Sequence, residues 1–145
     1  MEMVELGQRF DAPARETWRI VGDFGGDVLT RGYVARVEVR GQGIGAERIY
    51  HLEPQIGSGS VVERLDEHDD ALMRMRYSMT DNGSLPWTEY RGEVRVIAAG
   101  PSASMVSLRT WFLPIGQDAA TLKAMSKSNI EAYFANLARA LESRA

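Results

Sequence analysis

The chain offers few residue types able to do chemistry. It has no cysteine and only two histidines, which removes thiol nucleophiles, thiolate metal sites and disulfides together. Carboxylate, phenol, hydroxyl and guanidinium chemistry remains. Glu63 is the first candidate, because in the run Ser60 to Glu67 it shares parity with Val61 and Leu65 and should point inward with them. An interior carboxyl group can serve as a general base or acid, or bond a ligand hydroxyl. An ion pair with Arg48 or another inward arginine is the structural alternative. Tyr77 and Tyr90 fall on the inward faces of their own runs. Their phenols could donate to a ligand carbonyl or stabilise an enolate, or could be core residues with one satisfied hydroxyl.

Around these groups the sequence supplies apolar walls. Tyr50, Leu52 and Trp87 fit the side of a pocket. Met75 and Met79, with Met73, suit a chamber that shapes itself to an irregular ligand, since methionine is flexible and polarisable; plain core filling explains them as well. Ser126, Asn129, Tyr133 and Asn136 lie on the presumed inner side of a C-terminal helical run. His51 alternates opposite to Tyr50 and Leu52 and should face solvent, and His68 should sit in a turn. With the histidines so far apart no metal site is expected, and no cofactor. The glycines Gly41, Gly43 and Gly45 lie between two strands rather than before a helix, so they are turn glycines and not a nucleotide loop.

Period-two and helical patterns define the elements that must hold these residues. Met3 to Phe10 reads as a first strand, and Pro13 starts a short amphipathic helix, Ala14 to Val21, with Trp18 and Val21 on one face. Tyr33 to Arg40 alternates, with Ala35, Val37 and Val39 opposite Arg36, Glu38 and Arg40. Strands follow at Ala46 to Glu53, Ser60 to Glu67 and Leu72 to Thr80, the last two joined at the acidic turn His68 to Ala71. Trp87 to Ala98 and Ala103 to Leu113 complete the set. The final strand can turn Val106, Leu108, Thr110 and Phe112 inward, or Ser107, Arg109 and Trp111. The first choice is the more apolar; the second would bring Arg109 to Glu63. Asp118 can cap a helix running to about Glu142, which at roughly 1.5 Å per residue crosses a whole sheet. The order is that of an α+β domain with segregated helices, one domain over 1–145.

Composition narrows the partners. Apolar residues make up 44% and charged residues 26% of the chain, with a formal net charge of -3, as in an ordinary globular protein and without the basic surface that nucleic acid or anionic lipid requires. Lys123 and Lys127 are the only lysines, so a Schiff base would have two candidates on one helix. No run approaches the length of a membrane span and the first residues do not read as a signal core, so neither membrane insertion nor export is expected and the cytoplasm is the default.

Four stretches together carry a family likeness: VGDFGG (Val21 to Gly26), VARVEVRGQGIGAER (Val34 to Arg48), VVERLDEHDD (Val61 to Asp70) and NLARALE (Asn136 to Glu142). Over nearly its whole length the chain resembles the SRPBCC superfamily, also called START-like or birch-pollen-allergen-like, and within it the polyketide cyclase/dehydrase-type branch. The resemblance implies a helix-grip fold, in which a seven-stranded curved antiparallel sheet wraps around a long C-terminal helix, with two short helices after the first strand. It also implies a cavity for a small hydrophobic organic molecule in a monomer or homodimer, with Glu63 facing that cavity and Asn136 the best placed of the helix residues. Such relatives include cyclases, dehydratases and aromatases as well as carriers that do no chemistry. Many relatives carry an aromatic, a His and a Pro after the GDFGG-like string, whereas this chain has Asp27 to Tyr33 there. Arg31, Thr30 or Tyr33 would then line that end, with Arg31 joining Glu63, Tyr77 and Tyr90 as a catalytic candidate.

Overall fold

The computed structural model describes residues 1–144. Seven strands form one antiparallel sheet in the order β1-β7-β6-β5-β4-β3-β2. They are β1 (Glu2–Phe10), β2 (Val34–Arg40), β3 (Glu47–Leu52), β4 (Ser60–Asp69), β5 (Arg74–Asp81), β6 (Trp87–Ala98) and β7 (Ser104–Pro114), with helices α1 (Ala14–Val21) and α2 (Ala119–Glu142). From β2 to β7 the chain is a meander, and β1 closes against the far side of β7 from Glu2↔Phe112 to Phe10↔Ser104. This is the helix-grip architecture.

The inward row of β7 is Val106, Leu108, Thr110 and Phe112, all 5% exposed or less, which settles the facing of that strand on its apolar side. Arg109 lies outside and pairs with Glu5 of β1. Two buried hydroxyl pairs tie the helices to β7: Thr17 with Ser104 at 2.9 Å and Thr110 with Ser126 at 3.0 Å. The Asp118 carboxylate caps α2 by accepting from the Thr121 amide at 2.7 Å. The two hydroxyl pairs satisfy polar groups that would be costly to leave unpaired in a dry interior.

The long helix does not cover the sheet evenly. Its close backbone approaches are to β1, β7 and α1, while among the described residues none reaches β2 to β5. Phe134, Leu137 and Ile130 of α2 pack with Phe10, Trp18, Val94 and Val106 in the larger core cluster. Leu122 joins Val61, Leu85, Trp87 and Phe112 in a smaller one. The sheet curves past the helix between them, and the gap over β3 to β5 is where a cavity can open.

Three sequence expectations differ from the structure. Only one helix follows β1: residues 22–33 run as turns, not as a second short helix, in keeping with the glycines Gly22, Gly25 and Gly26 in that stretch. In β2 the row expected to be half-buried is mostly exposed, with Val39 48% accessible, because β2 is a sheet edge beyond the reach of α2. His68 belongs to β4 rather than to the hairpin turn. The register of β4 against β5 shifts between Leu65 and Glu67, and this bulge turns His68 onto the Trp18 ring at 5.2 Å and onto the Gly22 carbonyl at 2.8 Å.

Candidate functional site

The cavity left over β3 to β5 has a volume of about 100 Å³ and is walled by the sheet, the inner side of α2 and the turns after α1. For scale, an engineered apolar cavity of about 150 Å³ holds benzene. At about two-thirds of that volume, this cavity suits a ligand no larger than about one ring.

The polar centre is built by strand register. Arg48 stands directly opposite Glu63 across β3 and β4, and its Nε donates to the Glu63 carboxylate at 2.8 Å with side chains 8% and 5% exposed. The ion pair with Arg48, the structural alternative for Glu63, is formed. Nη1 of Arg48 donates to the Phe24 carbonyl at 3.1 Å. The guanidinium lies over three rings, Phe24 at 4.4 Å, Tyr77 at 4.5 Å and Tyr50 at 4.9 Å, where ring quadrupoles favour a cation. Burial works against the Arg48 charge, but Tyr50, Glu63 and Tyr77 outweigh it and hold its proton more tightly than usual. Arg48, weighed in the sequence only as a structural partner, is central here.

All five tyrosines of the chain line this one cavity: Tyr33, Tyr50, Tyr77, Tyr90 and Tyr133. Burial pushes every phenol above the ordinary tyrosine value. Arg48 pulls the other way at Tyr50, Tyr77, Tyr90 and Tyr133 without cancelling the effect. The phenols therefore stay protonated and able to donate across the physiological range.

Most of the residues named from the sequence meet at this place. Glu63, Tyr77 and Tyr90 line the cavity, as do Leu52, Met75, Met79, Trp87 and Asn129. Two do not. Arg31 has a side chain 69% exposed and, among the described residues, pairs only with Asp27, at 4.0 Å, because the turn at residues 27–33 points it to solvent; the cavity end there is lined by Leu29, Thr30 and Tyr33. Asn136 lies outside the lining and uses its amide on the backbone, donating to the carbonyls of Leu29 at 2.9 Å and Arg31 at 3.0 Å. It positions the turn that closes the cavity rather than touching what the cavity holds.

Other contributors went unnoticed in the sequence. Met125 of α2, with Leu85 and Ile56 from the loops, completes the apolar wall. Gly92 sits opposite Tyr77, and a Cβ there would lie 2.2 Å from the Tyr77 ring, so the glycine makes room for the phenol. A lone glycine in the strand run EYRGEVRV was the signal for such a close approach. Between Thr88 and Arg91 the register of β6 against β7 shifts, with Glu89 at φ 54°. That bulge brings Trp87 and Tyr90 onto one face, stacked at 5.2 Å. Among the described residues no group of three or more His, Asp or Glu side chains gathers as a metal site, and no helix is long and apolar enough to cross a membrane.

A family model described as polyketide cyclase / dehydrase and lipid transport matches residues 1–142. A search of curated protein sequences gives no match. Among solved structures, the chain is similar to the Zhui aromatase/cyclase from Streptomyces sp. R1128, at 18% identity and a TM-score of 0.85 over 99% of this chain and 94% of that one. It is similar to norcoclaurine synthase from Thalictrum flavum, solved with dopamine and hydroxybenzaldehyde, at 14% identity and a TM-score of 0.79 over 99% and 88% of the two chains. A protein from Thermobifida fusca shares 26% identity with a TM-score of 0.77, over 95% of this chain and 91% of that one.

Proposed function

The chain belongs to the polyketide cyclase / dehydrase and lipid transport family, and on that premise we propose that its cavity binds a small aromatic or polyketide-like molecule and carries out a cyclisation or dehydration on it by proton transfer, without a metal or organic cofactor. The observation that carries this reading is the Arg48–Glu63 pair, buried in a chamber otherwise walled by phenols and apolar side chains. The Glu63 carboxylate takes a proton from a carbon next to a ligand carbonyl. The resulting enolate oxygen is held by the Arg48 guanidinium and a phenol of Tyr77 or Tyr90, donors already fixed in place before charge develops. The enolate carbon then attacks a second carbonyl of the same chain, whose oxygen takes up a proton from a phenol. In the dehydration the resulting phenolate removes the second proton from the same carbon while the Glu63 carboxyl group gives its proton to the departing hydroxyl, so that water leaves and both groups return to their starting states. Holding both carbonyls in one small chamber supplies most of the advantage.

The likeness to an aromatase/cyclase supports this reading. The test uses purified protein and a panel of short linear poly-β-ketones that close to a single ring. Turnover above the uncatalysed rate is expected, falling by about 100-fold or more in Glu63→Gln. If Glu63→Gln turns over like wild type, or no substrate is turned over at all, the catalytic reading fails.

One observation favours a second reading, a binding or transport module with no turnover. Glu63 and the Phe24 carbonyl already occupy two of the donor atoms of Arg48, so the pair can serve as a self-satisfied polar anchor. Stabilisation by chemically inert apolar ligands without any product would support it.

A further inference from the structure

Two buried polar atoms among the described residues have no hydrogen-bond partner, the Thr30 hydroxyl and the Trp87 indole nitrogen, and both side chains line the cavity. They differ in what they ask for. A hydroxyl rotates and can both give and accept, whereas an indole N–H is a donor only, with a direction fixed by the ring. Trp87 is 3% exposed. The group it lacks is therefore an acceptor.

A buried water needs two or more polar partners, and the side chains packed on the indole supply few. The indole packs with Val61, Leu85, Phe112 and Leu122, which offer none through their side chains. Tyr90 is the polar neighbour, stacked on the indole at 5.2 Å. This placement is not incidental to the strand. In β6 the inward row Val96, Val94, Gly92 and Tyr90 would leave Trp87 outside, and only the bulge with Glu89 at φ 54° brings it in. A non-glycine residue in the left-handed region costs free energy, and such strain together with bulges gathers at sites that bind.

We propose that Trp87, with Tyr90 beside it, forms a subsite that receives an acceptor oxygen of the ligand, so that the molecules this cavity takes are aromatic carbonyl compounds whose carbonyl oxygen docks on the indole N–H. The proposal rests on the reading of the cavity as a ligand chamber and adds the orientation of the ligand within it. It places the apolar ring body of the ligand toward Met79 and Met125 and leaves the Arg48–Glu63 pair free to act at another position of the molecule.

Acetophenone and α-methylstyrene test it, because they share one shape and differ in C=O against C=CH₂. Dissociation constants from titration calorimetry are compared for wild type, Trp87→Phe and Tyr90→Phe. In Trp87→Phe the affinity for acetophenone should drop about 3- to 10-fold, the range of one hydrogen bond, while that for α-methylstyrene stays within about 2-fold. Without ligand the thermal midpoint of Trp87→Phe should hold or rise, since an unpaired buried donor has been removed. Tyr90→Phe carries the same comparison if Trp87→Phe does not fold. Equal losses for both compounds, or none for acetophenone, would overturn the subsite while sparing the cavity reading. Failure of wild type to bind either compound would overturn both.

Discussion

Glu63 and Arg48 present the sharpest question at the scale of single residues. Each is buried, and each is the reason the other can be. Glu63→Leu alone leaves an uncompensated guanidinium in a dry site and should cost about 3–5 kcal/mol. Replacing both, with Arg48→Met and Glu63→Leu, should restore most of that loss or improve on wild type, because desolvating an ion pair offsets much of its attraction. Urea unfolding of the three variants reads this directly, and a double variant as unstable as the single one would contradict it. Parity along a strand was enough to find Glu63, Tyr77 and Tyr90 in the sequence, since alternation fixes which way a side chain points. Arg31 and Asn136 escaped for the opposite reason. They depend on how the turn at 27–33 folds back on α2, and a turn has no period to read.

The elements show where that legibility ends. Seven strands and the long helix follow from hydrophobic period and capping, and their order agrees with the sheet. Bulges then reset the parity on which facing was judged: one in β4 turns His68 inward, and one in β6 brings Trp87 round to join Tyr90. Two substitutions test these devices. Glu89 is exposed and held at φ 54°, so Glu89→Gly should keep the bulge and raise stability by about 0.5 kcal/mol, as relief of the left-handed strain outweighs the added freedom of the unfolded chain. A loss would mean that the Glu89 side chain holds the bulge in some other way. Gly92→Ala inserts a methyl group where the Tyr77 ring lies. It should destabilise by about 1–3 kcal/mol and weaken ligand binding, because the phenol that must give way lines the cavity. Retention of both wild-type properties would show that the ring has room to step aside.

For the molecule as a whole, the confinement of every tyrosine to one chamber sets its response to alkali. A phenol whose folded pKa lies above its unfolded value of about 10 binds its proton more tightly in the native state. The stability this contributes is complete below pH of about 10 and is lost as pH climbs toward the folded values. Near-UV tyrosinate absorbance should therefore stay flat where free tyrosine is half ionised, at pH of about 10, and then rise in one step together with the loss of helical circular dichroism. A gradual rise through pH of about 10 with the fold intact would show phenols open to solvent. The uneven seating of α2 has a separate consequence, for how such a protein can change over time. The backbone of α2 is seated on β1, β7 and α1, whereas much of the surface that meets a ligand belongs to β3, β4 and β5, which the helix meets through side chains such as Leu122 against Val61. Substitutions that reshape the apolar wall of the chamber are thus separated from those that seat the helix, while Arg48, Glu63 and Gly92 serve both fold and chamber. Sequences can drift toward new ligands while the architecture persists, as it does across neighbours with TM-scores of 0.79 and 0.85 at 14% and 18% identity.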